Sequence, residues 1–488
     1  MTVKQISTLH FGVRPAVVCK YTGQLLIIFS LLFTGPPLFC LVVGEYGLFA
    51  PYALVAGGSG LAGFLLQRIR ASDDIQNNET LVISALIFIT VPLLVSLPFL
   101  QPGLSWIDAF FEAVSGVTTT GLSNIPSVEN LPKTFLFARA WLQWIGGLGF
   151  VILSVAVLLP HSKATLQLFK QSWEQEGLIA STKAYARIIL LVYLALTLTG
   201  FILLMVLGVQ WFDSAAHVLA AVSTGGFSPY DDSLAGLGSR PAETAVMILS
   251  LSGAIPLILY YLFFTQGWRE FTVNVEVKGL AAASCLAALA TFATLLAVDG
   301  LPLRTAVEDG TLLALSAQTT TGFSTLPVAD LSDSTKFILI LFMLIGGNVG
   351  STAGGIKIVR LLVILKLVRF MIVRSGMPSD AVTYPRLTGR RLESVEIIRC
   401  FLLVFLFLLV IVLSWFVFIL MGYPLLDSLF EVVSATCTVG LSTGISSSSL
   451  PVALKSVLCM DMLMGRLEII AFLVLFYPPT WFAKKRGA

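Results

Sequence analysis

Four copies of one ten-residue pattern constrain this chain more than any other feature. They read Ser-Gly-Val-Thr-Thr-Thr-Gly-Leu-Ser-Asn from residue 115, Ala-Ala-Val-Ser-Thr-Gly-Gly-Phe-Ser-Pro from 220, Ser-Ala-Gln-Thr-Thr-Thr-Gly-Phe-Ser-Thr from 316 and Ser-Ala-Thr-Cys-Thr-Val-Gly-Leu-Ser-Thr from 434. The copies align without gaps on Gly121, Gly226, Gly322 and Gly440. Thr119, Thr224, Thr320 and Thr438 stand two residues before the glycine, and Ser123, Ser228, Ser324 and Ser442 two after it. An acid stands thirteen residues before each glycine: Asp108, Asp213, Asp309 and Asp427. The glycines are 105, 96 and 118 residues apart. Repetition on this scale sets the architecture: four equivalent units, each presenting the same polar loop.

These loops sit in a chain that is 57% hydrophobic and 12% charged, where a soluble domain carries about 25% charged residues. The balance excludes a soluble globular protein and predicts an integral membrane protein. Ten apolar stretches, near 22–43, 47–67, 80–100, 135–160, 186–209, 243–267, 278–299, 335–373, 396–421 and 452–480, reach the roughly 20 residues needed to cross a bilayer. The piece before each loop, such as Asp108–Thr119, is too short to cross and suits a re-entrant half-helix. The expected fold is therefore an all-α membrane protein. Two N-terminal transmembrane helices (1–70) precede four pseudo-symmetric units around one pore, at 71–180, 181–272, 273–380 and 381–488. Each unit is a helix, a pore half-helix, a filter loop and a second helix.

The basic residues orient the chain. Lys4, Arg14, Lys20, Arg68, Arg70, Lys163, Lys170, Lys183, Arg187, Arg269, Lys278, the run at 357–399 and Lys484–Arg486 all fall on one side of this ten-span arrangement. The positive-inside rule makes that side cytoplasmic. Both termini are then cytoplasmic, and the four loops enter from outside. The cysteines are scattered without a Cys-x-x-Cys pair, and His10, His161 and His217 are far apart, so neither a disulfide framework nor a zinc site is expected. Gly57-Gly58-Ser59-Gly60 has no following Lys and lies in an apolar stretch, which excludes a phosphate loop.

Non-helical backbone at membrane depth must be buried in protein or line a watery path. Glycine permits backbone angles that aim successive carbonyl oxygens at an axis, where they replace a cation's hydration shell. The candidate ion ligands are Thr118, Thr119, Thr120 and Gly121; Ser223, Thr224, Gly225 and Gly226; Thr319, Thr320, Thr321 and Gly322; and Cys437, Thr438, Val439 and Gly440. All are neutral, which suits a monovalent cation that must leave again. Gly225 departs from the Thr or Val of the other three copies. Two readings of the upstream aspartates are open: N-caps of the half-helices, or direct attraction of cations.

Residues 346–357 read Gly-Gly-Asn-Val-Gly-Ser-Thr-Ala-Gly-Gly-Ile-Lys. Each glycine weakens a helix by about 1 kcal/mol relative to Ala, so the third unit's second span should break here, and only there. The segment is either a close packing surface or a flexible loop beneath the filter. In the last apolar stretch Asp461, Arg466 and Glu468 bring charge into the membrane, where charges usually face an interior or a cavity. Arg466 has two open readings, an ion pair with Glu468 or Asp461, or a place in the pore. Gln143 is a further pore-facing candidate.

The four loops, the unit plan and the interrupted third unit resemble the Trk/Ktr/HKT superfamily of potassium transporters, most of all the membrane subunit of the bacterial Trk system (TrkH/TrkG type), over essentially the whole chain. The resemblance implies potassium uptake across the bacterial cytoplasmic (inner) membrane, with K+ both transported and filter-bound and no cofactor held by the chain itself. It also implies that glycine at all four filter positions goes with potassium, whereas serine at the first goes with sodium in some plant relatives. It makes Gly346, Gly347, Asn348, Gly350, Ser351, Thr352, Gly354, Gly355 and Lys357 a gate and places Arg466 in the pore below the filter. The implied partners are a second copy of the chain and a cytoplasmic nucleotide-binding subunit (TrkA-like). Basic segments around 161–187 and 357–399 either dock that subunit or serve as topology signals that meet anionic lipid. One charge crossing 100 mV gains about 2.3 kcal/mol, enough to concentrate potassium roughly fifty-fold without a second substrate. A secondary transporter of a small solute with discontinuous helices would instead show two inverted halves. An intramembrane enzyme would need a nucleophile–base pair or metal ligands that the spans lack.

Overall fold

The computed structural model describes residues 12–158, 182–378, 383–387 and 390–482. It is an all-α membrane protein apart from a two-residue ladder pairing Arg386–Leu387 with Arg390–Arg391. The leading pair is Pro15–Leu32, which turns into Gly35–Val43, followed by Phe49–Gln67. Gly23 and Gly63 let these helices touch: a Cβ on Gly23 would lie 2.8 Å from the Gly63 carbonyl oxygen. Close approach through small residues is how helices associate in lipid, where no hydrophobic force drives them together. Gly60 lies in the same helix against Ser30, whereas Gly57 and Gly58 have nothing within 4 Å of a would-be Cβ.

Four units follow. Their first helices are Asn77–Phe99, Thr182–Val206, Val275–Ala297 and Ser394–Leu420. Their half-helices are Trp106–Val117, Trp211–Val222, Leu303–Gln318 and Leu425–Thr436. The polar loops come next, then the second helices, which begin at Lys133, Arg240, Asp333 and Val452. The first helix of unit 1 has 56% of its apolar window buried, against 22–28% for its three equivalents, because the leading pair packs beside it.

Among the described residues, six helices are long and apolar enough to cross a membrane, or seven if Arg240–Gly253 and Leu257–Gln266, bent by 87°, count as one span. The expectation that only the third unit breaks is wrong. In unit 2 the break falls just before Pro256, which lacks an N–H and disfavours a helical residue ahead of it. In unit 3 the helix Asp333–Leu344 stops and resumes at Ile358–Ser375. In unit 4 Val452–Arg466 gives way to Ile470–Phe476 through Glu468 and Ile469, which hold φ of 57° and 64°. There the Ile470 N–H donates to the Glu468 carbonyl at 2.7 Å, a three-residue turn with no glycine or proline in it.

Candidate functional site: a ring of four loops and the segment beneath it

Each half-helix ends in the same way. The N–H of Thr119 reaches back to Gly116 at 3.0 Å and that of Thr120 to Ser115 at 2.9 Å. The pairs Thr224–Ala221 and Gly225–Ala220, Thr320–Ala317 and Thr321–Ser316, and Thr438–Ala435 and Val439–Ser434 repeat this. This is a Schellman ending, whose left-handed position is usually glycine. Here it is threonine four times, with φ of 56°, 51°, 55° and 52° at Thr119, Thr224, Thr320 and Thr438. A β-branched residue in that region is an outlier costing about 1–3 kcal/mol. All four threonines are fully buried.

The aligned glycines close the loops into a ring. Gly121, Gly226, Gly322 and Gly440 hold φ of 88°, 78°, 90° and 97°. A Cβ on Gly121 would strike the carbonyl oxygen of Gly225, one on Gly226 that of Thr321, one on Gly322 that of Val439, and one on Gly440 that of Thr120. Each unit thus presses its glycine on the peptide just before the glycine of the next unit, and the fourth returns to the first. Both the backbone angle and the crowding require glycine.

The upstream aspartates do not cap the half-helices. The N-caps are Ser105, Gln210, Pro302 and Pro424. Asp108, Asp213 and Asp427 sit in the first turn, where a carboxylate still favours the positive helix end, and Asp309 lies further along. Three of them tie neighbouring units together. Asp108 of unit 1 accepts from Lys455 of unit 4 at 2.6 Å, and Asp427 of unit 4 from Lys336 of unit 3 at 2.9 Å. Asp309 of unit 3 pairs with Arg240 of unit 2. At the remaining seam Asp213 accepts from the Tyr230 hydroxyl of its own unit at 2.9 Å. Units 1 and 2 meet instead through Ser127 and Val128, which donate to Asp231 at 2.7 and 2.6 Å.

Under the ring lies the glycine-rich segment. A bridge between Ile345 and Ile356 closes its neck. Gly346, Gly347, Asn348, Gly350, Ser351, Thr352, Gly354, Gly355 and Lys357 are all buried. The segment touches three of the four loops. The Thr352 hydroxyl lies 3.3 Å from that of Thr224 and donates to the Val222 carbonyl at 3.0 Å. The Gly354 N–H donates to the Thr320 hydroxyl at 2.7 Å, and Gly354 has no room for a side chain against Cys437 and Thr438. It also fills the bend of unit 2: Thr352 N–H donates to Gly253 and Leu257 N–H to Gly350. Lys357 turns its ammonium back to the Ala353 carbonyl at 2.5 Å. Arg466, 1% exposed, donates to the Thr352 carbonyl at 2.7 Å and lies 3.4 Å from that of Gly146. The acids that one reading paired with it are engaged elsewhere, Glu468 with Arg360 at 2.5 Å and Asp461 with the Ser414 hydroxyl at 2.6 Å.

The sequence profile of the TrkH family, cation transport proteins, matches residues 58–481. The chain belongs to that family. An uncharacterized cation transporter of Methanocaldococcus jannaschii is 32% identical over 426 residues, 85% of each chain. The Trk system potassium uptake proteins TrkH of Halomonas elongata and Escherichia coli K12 are 28% and 29% identical over 95% of this chain and 99% of their own. The crystal structure of the potassium transporter TrkH from Vibrio parahaemolyticus matches with a TM-score of 0.87 at 26% identity, covering 96% of this chain and 100% of that one. TrkH-family proteins are transporters, not enzymes.

Within this TrkH-family fold the structure gathers all sixteen loop residues proposed from sequence into the ring and sets the glycine-rich segment and Arg466 beneath it. Gln143 belongs to the ring rather than to an open passage: its amide is buried against Gly225 and Phe227. One set of anchors escaped the sequence reading. Nine residues before the glycine stand Glu112, His217 and Glu431. They hold the serine beyond the glycine: Ser123 to Glu112 at 2.6 Å, Ser228 beside His217 at 3.2 Å and Ser442 to Glu431 at 2.5 Å. Unit 3 has Leu313 there, and Ser324 bonds instead to its own loop at Leu326. A second missed set is Gly146, Gly253 and Gly465, where a Cβ would collide with the last half-helix carbonyls, Val117, Val222 and Thr436. Constant offsets from the aligned glycine were the available signal for the acids. Of the basic segment at 161–187, residues 161–181 lie outside the described residues.

Proposed function

We propose that this chain takes up potassium ions across the cytoplasmic membrane through the ring of four loops, which acts as its selectivity filter. The observation that carries the reading is the closed contact of each loop glycine on the next unit's peptide. It sets the four loops edge to edge, and the sixteen loop residues are all neutral. The hydroxyls of Thr119 and Thr438 are buried there without a hydrogen-bond partner, and such neutral oxygens replace a monovalent cation's water. The curated relatives named as potassium uptake proteins support K+ as the transported ion. The glycine-rich segment at 346–357 is the gate, held shut by its contacts with Thr224, Thr320, Gly253 and Arg466. The working assembly is a homodimer with a cytoplasmic nucleotide-binding subunit, and the chain's termini are cytoplasmic. The repeat boundaries at 71–180, 181–272, 273–380 and 381–488 belong to the same reading.

The test is growth of a potassium-uptake-deficient bacterium at limiting K+ when it expresses this chain with its nucleotide-binding partner. Rescue by the parent chain is expected, and Gly440→Ser should lower the preference for K+ over Na+ without removing the protein from the membrane. Rescue that depends on an added organic solute would overturn the filter and favour a solute transporter.

A further inference from the structure

The second loop is the one place where the ring lacks a side chain that the other units have. At the residue before the aligned glycine stand Thr120, Thr321 and Val439, but Gly225 in unit 2. In units 1 and 3 this side chain locks the loop: the hydroxyls of Thr118 and Thr120 lie 2.7 Å apart, and those of Thr319 and Thr321 2.8 Å apart. In unit 4 Val439 fills the same place, fully buried. Unit 2 has two successive glycines instead, the freest pair of backbone residues available.

The room is not empty. A Cβ added to Gly225 would have the Gln143 amide as its three nearest neighbours, with Oε1 at 2.5 Å and Nε2 at 2.9 Å. Gln143 comes from the second helix of unit 1 and is fully buried. Its Nε2 donates to the Gly225 carbonyl at 2.5 Å, and its Oε1 accepts from the Phe227 N–H at 3.2 Å. One side chain therefore holds the peptides on both sides of Gly226. One turn earlier on the same helix, Arg139 lies 3.8 Å over the Phe227 ring and donates to Glu112 at 3.0 Å. The helix of unit 1 thus grips the loop of unit 2 at the seam where, among the described residues, no aspartate–base ion pair is found.

We infer that Gln143 is a positioning residue for ion selection: it replaces, from the neighbouring unit, the side chain missing at Gly225. The inference rests on the filter reading above. Gly225 is not among the positive-φ residues, so its backbone accepts a side chain once Gln143 is gone. Ser223, at the position of Thr118 and Thr319, then offers the hydroxyl partner used in units 1 and 3. Swapping the two devices is therefore the decisive experiment.

The measurement is K+ influx into proteoliposomes holding the full chain, with Na+ as competitor. Gln143→Met keeps the volume and removes both hydrogen bonds; it should lower K+ over Na+ preference about five- to tenfold, the worth of one or two buried hydrogen bonds. Gln143→Ala should do the same, and Gly225→Thr alone should impair transport by colliding with Gln143. The double variant Gln143→Ala with Gly225→Thr should recover most of the preference, a coupling that unrelated damage does not produce. Gln143→Met with unchanged preference overturns the inference, as does a double variant that reaches the membrane but is no better than either single change. Gly322→Ser, in another unit, keeps the two readings apart. If it alters selectivity while Gln143→Met does not, only the role of Gln143 falls; if neither does, the filter reading falls.

Discussion

In the ring, four units hold their threonines within 51–56° of φ and their glycines within 78–97°. Directly beneath, the second helices of units 2 to 4 break in three different ways: at Pro256, at a run of glycines, and at Glu468–Ile469 with no helix breaker. In the proposed filter a cation on the axis would meet all four units at once, so any unit that deviates would distort the whole cage. The layer below has no such requirement. There the bend of unit 2 makes room for the glycine-rich segment of unit 3, and Arg466 of unit 4 holds that segment by the Thr352 carbonyl. Symmetry is kept where four surfaces must act as one, and is lost where one segment has to be held by the others.

The contrast breaks most readily at the ring glycines. Gly322→Ala drives a methyl into the Val439 carbonyl at positive φ. It should erase the preference for K+ over Na+ in proteoliposome flux, a penalty of about 3 kcal/mol or more on the ring. Retained preference would mean that the loops are not held as one ring. Arg240→Ala tests the seams. It removes an arginine that is itself 47% exposed but leaves Asp309 at 3% and Glu243 at 5% without it, and should lower stability by about 3 kcal/mol, read as a fall in melting temperature. Lys455→Ala leaves Asp108, among the described residues, with only Asn124 and Ser105 as partners and should lower it by about 2 kcal/mol. The layer below behaves oppositely: deleting 347–355 should raise flux about tenfold, equivalent to about 1.4 kcal/mol off the barrier. Unchanged flux would remove the gate. The smallest effect is expected at Gly444, which shares the glycine conformation with φ of 91° but has nothing within 4 Å of a would-be Cβ. Gly444→Ala should reduce stability by about 1 kcal/mol and leave ion preference untouched. A large selectivity change there would show that backbone angle alone, rather than contact between units, sets the ring.

Much of this was legible in the chain because it is local or periodic. The aligned glycines, the half-helix lengths and the break at 346–357 follow from residue type and spacing. Pro256 was an equally local signal for the bend of unit 2, although a continuous span was expected there. The upstream aspartates show the limit. Their spacing was visible, but an N-cap is a relation along the chain, whereas Asp108 pairs with Lys455, 347 residues away. No local rule selects that partner. The break in unit 4 is similar: nothing at Leu467–Ile469 disfavours a helix, and the partly buried Arg360–Glu468 pair ties the turn to another unit.

The sequence by itself determined the number of units, the neutral chemistry of the loops and the glycine required at each, because these depend on backbone freedom and on hydrophobic length. Only the tertiary structure decided which unit touches which, that Gln143 stands in for a side chain at Gly225, and that the aspartates bind units together instead of capping helices. Those are contacts between distant surfaces. Their identity is set by how four helical units close around an axis, a geometry that residue spacing constrains but does not specify.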